Sequence, residues 1–363
     1  MNLNFPLLKP VRILLFPFSL IYGFVIGLRN WLYDKSFFSS SSFNLPIICV
    51  GNLAVGGTGK SPMVEYLVRH LHNQFELAVL SRGYKRKTRG YAIASTHSKA
   101  LDIGDEPMQF HMKFPDVTVA VGEERIVAIP QLLHDRPATE AIILDDAFQH
   151  RSVQAGLNIL LTDYNNLFTR DYFLPTGDLR DGKNSYKRSD IIVITKCPKD
   201  LTGKDRLIIL NEINPLRKQS VFFSAIEYGN AYHIIDKRGY VLNEKTEPLL
   251  VTGIANPWHI KNYLTEKCAT FYELSYSDHH IFSIDDLHEI LKRFEGIRAH
   301  NKIILTTEKD AVRLTKFQQE LDNIPFYVLP IQSNFLFDGE SGFLEKVSGF
   351  IRHFKNNQTT NEK

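Results

Sequence analysis

The most distinctive chemical pattern in the chain is a glycine-rich stretch from Gly51 to Ser61, with the sequence Gly-Asn-Leu-Ala-Val-Gly-Gly-Thr-Gly-Lys-Ser. Glycines allow backbone N–H groups to curl around phosphate oxygens, and a helix that begins at the loop adds the positive end of its dipole. A lysine in such a loop contacts the β- and γ-phosphates, and the hydroxyl after it coordinates Mg²⁺. The stretch therefore predicts a nucleotide phosphate site made of Gly56, Gly57, Thr58, Gly59, Lys60 and Ser61.

The elements on either side of this loop favour the same interpretation. Residues 45–50 form a short apolar run that predicts a buried parallel strand, and a helical apolar pattern begins near Met63. Strand, loop and helix in this order are the context that a phosphate loop requires. Ala54 replaces the first glycine of the strict pattern G-x-x-x-x-G-K-[ST]. A glycine-rich turn that ends in Lys-Ser by chance is therefore the alternative.

Two adjacent carboxylates form a second candidate site. Residues 141–144 are apolar and predict another buried strand, which ends in Asp145 and Asp146. A strand that ends in aspartate beside a phosphate loop normally holds Mg²⁺ directly or through water. An acidic turn at the strand end is the alternative interpretation. The sequence does not distinguish the two carboxylates, so both are candidate metal ligands together with Ser61.

The remaining apolar runs indicate the fold that carries these sites. Four further short strands are expected, at residues 77–80, 117–121, 157–161 and 191–194. Helical patterns separate several of them, as at residues 124–133. Alternating strands and helices are typical of a doubly wound, mostly parallel α/β sheet.

The N-terminal segment has a different character, because residues 13–27 carry no charge. Basic residues flank this run on both sides, namely Lys9, Arg12, Arg29 and Lys35. The run is shorter than the roughly 20 apolar residues that a spanning helix needs. A cleaved signal peptide and a buried core helix are the alternatives. We expect residues 1–44 to form a membrane-associated helix and its connector, and the sequence leaves open whether the helix spans the bilayer or lies flat.

Charge and cysteine content exclude some classes of protein. The 363 residues include 43 basic and 40 acidic side chains, which gives a formal net charge of +3. The first 44 residues carry four bases and one acid, so the excess positive charge lies beside the apolar segment. This distribution argues against a general nucleic-acid binder. The three cysteines are far apart and form no CxxC motif, which indicates a reducing, cytosolic compartment.

Further motifs complete an ordered set along the chain. They are Ser81-Arg-Gly-Tyr84, Gly104-Asp-Glu-Pro107, Leu144-Asp-Asp-Ala-Phe-Gln-His-Arg151, Leu174-Pro-Thr-Gly-Asp-Leu-Arg-Asp181, Asp278-His279 and Thr307-Glu-Lys-Asp-Ala-Val312. Together with the phosphate loop, these motifs resemble the tetraacyldisaccharide 4'-kinase family in order and spacing. The similarity extends from the N-terminal apolar segment to about residue 328. One departure is Asp181, which stands where the family has a glutamate.

The resemblance implies a reaction, a fold and a location. The reaction is ATP- and Mg²⁺-dependent phosphorylation of the 4'-hydroxyl of an acylated glucosamine disaccharide 1-phosphate, at the cytoplasmic face of a Gram-negative inner membrane. The implied fold is similar to that of P-loop kinases. We expect a nucleotide-binding domain at 45–225, a two-stranded linker at 226–247 and a smaller α/β domain at 248–355, whose last helix packs back on the first domain. We also expect a monomer.

The resemblance also implies a catalytic pair, Asp105 and His279. A sugar hydroxyl is a poor nucleophile with a high pKa, so a carboxylate must accept its proton as the new bond forms. The histidine would orient the carboxylate and tune its basicity. On the residues alone, Asp105 would equally serve as the cap of a helix that Pro107 begins, and His279, next to His280, would be an ordinary surface histidine.

Two other interpretations use the same residues differently. A P-loop ATPase or GTPase would hydrolyse nucleotide as a conformational switch at the membrane, but Asn-Lys-x-Asp, the guanine-specific motif, is absent, and Thr195-Lys-Cys-Pro198 is the nearest sequence to it. A non-enzymatic membrane adaptor would have no use for an intact Lys60-Ser61.

The basic loop from Arg82 to Arg89 is typical of a solvated surface, and is also suited to contact the 1-phosphate of the substrate or anionic lipid headgroups.

Overall fold

The apolar runs of the sequence form strands that lie in the interior of the molecule. The computed structural model describes residues 12–361. Its strands are β1 (Ile47–Asn52), β2 (Leu77–Ser81), β3 (Ala92–Ile93), β4 (Thr118–Val121), β5 (Ala141–Asp145), β6 (Leu157–Asp163), β7 (Ile191–Thr195), β8 (Ser220–Tyr228), β9 (Ala231–His233), β10 (Gly239–Tyr240), β11 (Glu247–Thr252), β12 (Tyr272–Ser275), β13 (Lys302–Thr307), β14 (Phe326–Leu329) and β15 (Ile331–Phe335). Its helices are α1 (Phe16–Asp34), α2 (Lys60–Leu71), α3 (Ala100–Ile103), α4 (Asp105–Lys113), α5 (Arg125–Asp135), α6 (Gly203–Ile213), α7 (Trp258–Lys267), α8 (Ile284–Glu295), α9 (Glu308–Leu314), α10 (Gln318–Leu321) and α11 (Gly339–Asn361).

The first sheet has the strand order β15-β8-β7-β6-β1-β5-β2-β4-β3. Strands β8 to β4 in this order run parallel, and the edge strands β15 and β3 run antiparallel to their neighbours. Alternate residues of β1 enter different hydrophobic clusters, with Ile47 and Cys49 in one and Ile48 and Val50 in the other. Both faces of the sheet are therefore covered, as in other parallel sheets. The predicted doubly wound, mostly parallel α/β fold is confirmed.

The strand order places the two predicted sites side by side. The phosphate loop follows β1, and the paired carboxylates follow β5, which is the neighbour of β1 in the sheet. In the register of this pair, Val50 lies opposite Asp145. In an open parallel sheet, ligands bind beyond the carboxyl ends of the strands. The loop and the carboxylates consequently face the same crevice.

The second sheet has the strand order β10-β9-β14-β13-β11-β12 and is carried by residues 231–329, here called the second-sheet region. Strands β11 to β14 are parallel, and β9 and β10 pair antiparallel at one edge. The chain enters this region after β8 and leaves it before β15, and these two strands pair antiparallel in the first sheet. Helix α11 then packs on the first sheet, where Phe343 is fully buried. The domain boundaries 45–225, 226–247 and 248–355 stay a prediction.

Helix α1 is preceded by a turn at Ile13–Leu15 and exposes most of its apolar side chains. The turn and α1 together span Ile13 to Asp34, 22 residues, which in length and composition is enough to cross a membrane. Only Ser19 is buried within α1, so α1 is not a core helix. The first eleven residues of the predicted segment 1–44, including Lys9, lie outside the described residues.

The loop at residues 171–181 links α1 to the phosphate loop. Arg12 donates to the carbonyl of Pro175 at 2.8 Å and Ser19 donates to Thr176 at 2.7 Å, which fixes the start of the helix. The same loop accepts a hydrogen bond from Val55 N at Asp178 O, with a length of 2.7 Å. The start of the helix and the phosphate loop therefore both contact this segment.

Gly51 lies at a close approach between β1 and the segment after β5. A Cβ at this position would lie 2.6 Å from Phe148 Cβ, which is shorter than van der Waals contact allows. We expect Gly51→Ala to destabilise the protein by about 1–3 kcal/mol, because the buried strand cannot move away from Phe148. Urea unfolding followed by circular dichroism in detergent micelles would measure the loss.

Gly203 provides the matched control for this prediction. It is the first residue of α6, and a Cβ there would meet no atom within 4 Å. Gly203→Ala should leave the free energy of unfolding unchanged or raise it slightly, because alanine restricts the unfolded chain. Equal losses for the two variants would contradict the packing explanation.

Candidate active site

The phosphate loop has the backbone that its glycines predict. Gly56 and Gly59 have φ values of 103° and 81°, a region that other residues rarely adopt, and Gly59 directly precedes α2. Thr58 is held on both sides, because its hydroxyl accepts from Asn52 at 2.7 Å and its carbonyl accepts from Thr195 at 2.9 Å. The loop is thus fixed at the N-terminus of a twelve-residue helix.

Ala54, the departure from the strict phosphate-loop pattern, forms an antiparallel β-bridge with Leu179. This extended pairing needs no glycine, so the substitution is compatible with the loop.

Lys60 begins α2, and its side chain is 13% exposed and lies 3.7 Å from a carboxylate oxygen of Asp146. The lysine therefore reaches toward the acidic site.

The two carboxylates after β5 have different environments. Asp145 is buried, and its Oδ2 accepts from the Ser81 hydroxyl at 2.9 Å, whereas its buried Oδ1 has no hydrogen-bond partner among the described residues. Asp146 adopts a left-handed backbone with φ of 51° and pairs with Arg180, whose Nη1 donates to Oδ2 at 3.0 Å. Arg180 also donates to Asn52, at 2.5 Å.

A third carboxylate, Glu106, joins this site. The Ser61 hydroxyl donates to its Oε1 at 3.0 Å, and Lys309 Nζ contacts the same oxygen at 2.6 Å. The sequence did not single out Glu106, although it lies within the quoted motif Gly104-Asp-Glu-Pro107. Lys309, which lies in the quoted motif that begins at Thr307, thus contacts the site from the second-sheet region.

Burial and neighbouring charge separate the pKa values of the two aspartates. Burial raises the pKa of Asp145, and the nearby Glu106 and Asp146 raise it further, to about 7. Burial also opposes ionisation of Asp146, but Lys60 and Arg180 outweigh it and lower its pKa to about 2. Within residues 12–361, Asp145 consequently forms no ion pair, while Asp146 pairs with both Lys60 and Arg180.

These oxygen donors fit a Mg²⁺ ion. Mg²⁺ prefers hard oxygen ligands, keeps several waters and is usually held by one or two carboxylates together with substrate phosphates. Within residues 12–361 no group of three or more His, Cys, Asp or Glu forms a metal cage of its own. The unpartnered Oδ1 of Asp145 and the Ser61 hydroxyl are the donor types that such a site uses.

Asp105 is the first residue of α4, and Gly104 is the N-cap. Asp105 therefore does not cap the helix, which begins two residues before Pro107. His279 has a left-handed backbone with φ of 62°, and its Nδ1 lies 3.1 Å from Asp105 Oδ2. His280 instead contacts Asp286 at 2.9 Å. The structure thus brings Asp105 together with His279 rather than with the adjacent histidine.

Arg313, which the sequence did not identify, completes this cluster. Its Nε and Nη2 contact Asp105 Oδ2 at 3.0 and 2.6 Å. Burial alone would raise the pKa of Asp105, but hydrogen bonds from His279 and Arg313 lower it to about 2. The carboxylate is therefore ionised at neutral pH. Arg313 directly follows the quoted motif that ends at Val312. This position beside a motif is the one sequence feature that could have identified it as a site residue.

A family model described as tetraacyldisaccharide-1-P 4'-kinase matches residues 11–351. A tetraacyldisaccharide 4'-kinase of Bacteroides thetaiotaomicron is 44% identical over 96% of this chain and 96% of its own. That of Flavobacterium johnsoniae is 44% identical over 90% of this chain and 93% of its own.

A solved structure supports the same assignment. LpxK from Aquifex aeolicus, in complex with ATP, has a TM-score of 0.73 to this chain at 28% identity, over 94% of this chain and 99% of that one. The family match and the curated relatives both span nearly the whole sequence, which confirms the resemblance drawn from the motifs. The chain belongs to the tetraacyldisaccharide 4'-kinase family.

Proposed function

We propose that the chain transfers the γ-phosphate of ATP to the 4'-hydroxyl of tetraacyldisaccharide 1-phosphate in lipid A biosynthesis, at the crevice described above. The observation that carries the site assignment is the adjacency of Asp105 and Glu106. Glu106 contacts Ser61 of the phosphate loop, and Asp105, the next residue along α4, is held by His279 and Arg313. These contacts support the proposal that Asp105 serves as the proton acceptor, because they bring its carboxylate close to the phosphate-binding element.

The phosphate loop would hold the nucleotide. Backbone N–H groups from Gly56 to Gly59 and the side chain of Lys60 would contact the phosphates, at the N-terminus of α2. Asp145 and the Ser61 hydroxyl would hold Mg²⁺, which when bound neutralises charge on the phosphate oxygens. Asp146 would keep Lys60 and Arg180 in place, since it already pairs with both.

Asp105 would accept the proton of the acceptor hydroxyl. Among the described residues, the side-chain hydrogen bonds to Asp105 end on Oδ2. This leaves Oδ1 for the sugar hydroxyl, whose oxygen forms the new bond to phosphorus while the bond from phosphorus to the ADP oxygen breaks. The hydroxyl proton passes to the carboxylate in the same step. His279 orients the carboxylate and is placed to share the proton afterwards.

Helix α1 would anchor the enzyme to the membrane that contains the lipid. Its exposed side chains include Phe18, Ile21 and Phe24, each more than half exposed. Trp31 and Arg29 near its end are suited to the headgroup region. Because ATP is a cytosolic substrate, we place the catalytic crevice at the cytoplasmic face of a Gram-negative inner membrane. The expected state is a monomer bound to that surface.

Transfer of labelled phosphate tests this function directly. Purified protein would be incubated with γ-labelled Mg·ATP and tetraacyldisaccharide 1-phosphate in detergent micelles. We expect label in the lipid fraction, with little release to water. Release of labelled phosphate to water, without labelled lipid, would instead support a nucleotide-hydrolysing switch and would remove the roles given to Asp105 and His279.

The unequal environments of the two aspartates predict different metal dependence. Asp145→Asn should raise the Mg²⁺ concentration needed for half-maximal activity, because it removes the carboxylate charge whose Oδ1 has no hydrogen-bond partner among the described residues. It should also raise the melting temperature of the nucleotide-free protein, since the raised pKa of Asp145 means that its ionised form is unfavourable at neutral pH.

Asp146→Asn is the matched variant for this comparison. It weakens the pairing with Arg180 and Lys60, so it should lower the melting temperature and affect kcat more than the Mg²⁺ requirement. Magnesium titrations of the kinase reaction and thermal unfolding of the free proteins would measure both effects. A larger shift in Mg²⁺ requirement for Asp146→Asn would reverse the assignment of the ligand.

A further inference from the structure

Helix α9 meets α4 through charged side chains that are matched pair by pair. Each of three charges on α9 contacts a charge of opposite sign on α4. The pairs are Arg313–Asp105 at 2.6 Å, Lys309–Glu106 at 2.6 Å and Glu308–Lys113 at 2.5 Å. Helix α9 lies in the second-sheet region and α4 lies beside the first sheet, so these pairs connect the two parts of the molecule, and of the three only the Arg313 pair involves the proposed base.

Arg313 is fixed by its own region before it reaches Asp105. Its side chain is 6% exposed, and its Nη1 donates to Asp310 Oδ1 at 3.2 Å. Asp310 is itself fully buried, and its Oδ2 accepts from Gly253 N at 3.0 Å and from the Thr307 hydroxyl at 2.7 Å. A buried carboxylate thus holds the guanidinium from behind and directs its other nitrogens toward α4.

The remaining nitrogens of Arg313 control one oxygen of Asp105. Nε and Nη2 both donate to Oδ2, at 3.0 and 2.6 Å, so the carboxylate cannot rotate without losing two charge-assisted hydrogen bonds. Rotation would also exchange the two oxygens with respect to the crevice. The contact therefore selects Oδ1 as the oxygen that is free to take a proton.

Arg313 also constrains His279. Its Nη2 lies 3.0 Å from His279 Nδ1, and the same ring nitrogen lies 3.1 Å from Asp105 Oδ2. A ring nitrogen carries either a proton or a lone pair, so Nδ1 can accept from Arg313 or donate to Asp105, but not both. In either tautomer of His279, Arg313 contacts both Asp105 and His279. Oδ1 of Asp105 takes part in none of these contacts.

We infer that Arg313 is a positioning residue for phosphoryl transfer, which fixes the orientation of Asp105 and His279 relative to the acceptor hydroxyl. This inference rests on the proposed function, in which Asp105 is the base. The planar fork of arginine makes the arrangement possible, because it contacts Asp310, Asp105 and His279 at once. A lysine, with one nitrogen, would reach only part of this set.

The test compares variants at two positions of the same helix. Arg313→Met removes the guanidinium and keeps similar length and apolar bulk, and Glu308→Gln removes a charge from the same interface away from the proposed base. We expect Arg313→Met to lower kcat on the order of a hundredfold, the effect of misplacing a reacting group by about 1 Å, with KM for ATP unchanged. Glu308→Gln should keep nearly the wild-type kcat.

Combination with Asp105→Asn separates positioning from a general structural effect. If Arg313 acts through Asp105, the double variant Asp105→Asn/Arg313→Met should be no slower than Asp105→Asn alone. Additive losses, equal losses for Glu308→Gln, or a wild-type kcat for Arg313→Met would each overturn the inference. Arg313→Lys keeps the charge and should fall between the wild type and Arg313→Met, and it also serves as the test if the methionine variant does not fold.

The same measurements distinguish failure of this inference from failure of the proposed function. If wild-type protein labels no lipid, the kinase assignment fails before any variant is considered. If Asp105→Asn keeps full kcat, the base assignment fails and the inference fails with it. If Asp105→Asn is inactive but Arg313→Met is not impaired, the function stands and only the positioning role is rejected.

Discussion

Asp105→Asn should lower kcat for lipid phosphorylation by a factor on the order of 10² to 10⁴, which is what a positioned general base usually contributes. Asparagine has nearly the same shape but cannot accept the hydroxyl proton at neutral pH. The phosphate loop is separate from Asp105, so the affinity for Mg·ATP should persist. The structure places Asp105 at the start of α4 with its Oδ2 held by Arg313 and His279.

Steady-state kinetics with both substrates varied would test this prediction, with nucleotide binding measured separately by fluorescence titration. Asp116→Asn, an exposed aspartate of the same part of the chain, is the matched control and should behave as wild type. A kcat for Asp105→Asn within a few-fold of wild type at neutral pH would mean that another group accepts the proton.

Lys60→Ala should reduce kcat/KM for ATP by about 10² to 10³-fold or more, the usual effect of removing one preorganised group that stabilises developing charge. The lysine is 13% exposed and lies between the phosphate loop and Asp146, so its charge is little screened by water. Unlike Asp105→Asn, this change should weaken nucleotide binding as well as turnover, because we propose that the ammonium contacts phosphates in the bound state.

Competition between Mg·ATP and a fluorescent ATP analogue would measure the binding part of this effect. Lys204→Ala, an exposed lysine in α6, is the control for loss of a single positive charge. Unchanged ATP affinity and unchanged kcat in Lys60→Ala would show that the glycine-rich loop is a structural turn, the alternative that its sequence leaves open.

The first sheet and the phosphate loop were predictable because their signals are local. Each buried parallel strand is a short apolar run, and β1, β2, β5 and β7 are buried throughout. The observed bounds differ from the predicted ones by one or two residues, as at β1, which ends at Asn52 rather than at residue 50. Gly56 and Gly59 identify the loop because they adopt positive φ values, which glycine accepts most easily.

The contacts around Asp105 were not predictable in the same way. Arg313 and Asp105 are separated by 208 positions in the chain, and their contact depends on how the second-sheet region packs against α4. A charged residue on an exposed helix and one in an active site have the same local sequence pattern. Glu106 was missed for a related reason, because its contact with Ser61 crosses from α4 to α2.

The short strands β9 and β10 show a further limit of sequence patterns. Within the expected two-stranded linker at 226–247, β9 and β10 pair antiparallel, but β9 also pairs with β14, so both strands form the edge of the second sheet. The connection between the sheets runs through β8 and β15, which pair antiparallel although more than 100 positions separate them. Such a pairing leaves no mark in the local alternation of apolar residues.

The measurement that tests the central claim most directly compares tetraacyldisaccharide 1-phosphate with its 4'-deoxy analogue, using γ-labelled Mg·ATP and the full-length protein in micelles. If the 4'-hydroxyl is the acceptor, the natural lipid should become labelled, while the analogue should take no label and should inhibit competitively against the lipid. Labelling of the 4'-deoxy analogue would show that another hydroxyl is the acceptor. Phosphate release to water with both lipids, and no labelled product, would show that the site hydrolyses nucleotide without acting as a lipid kinase.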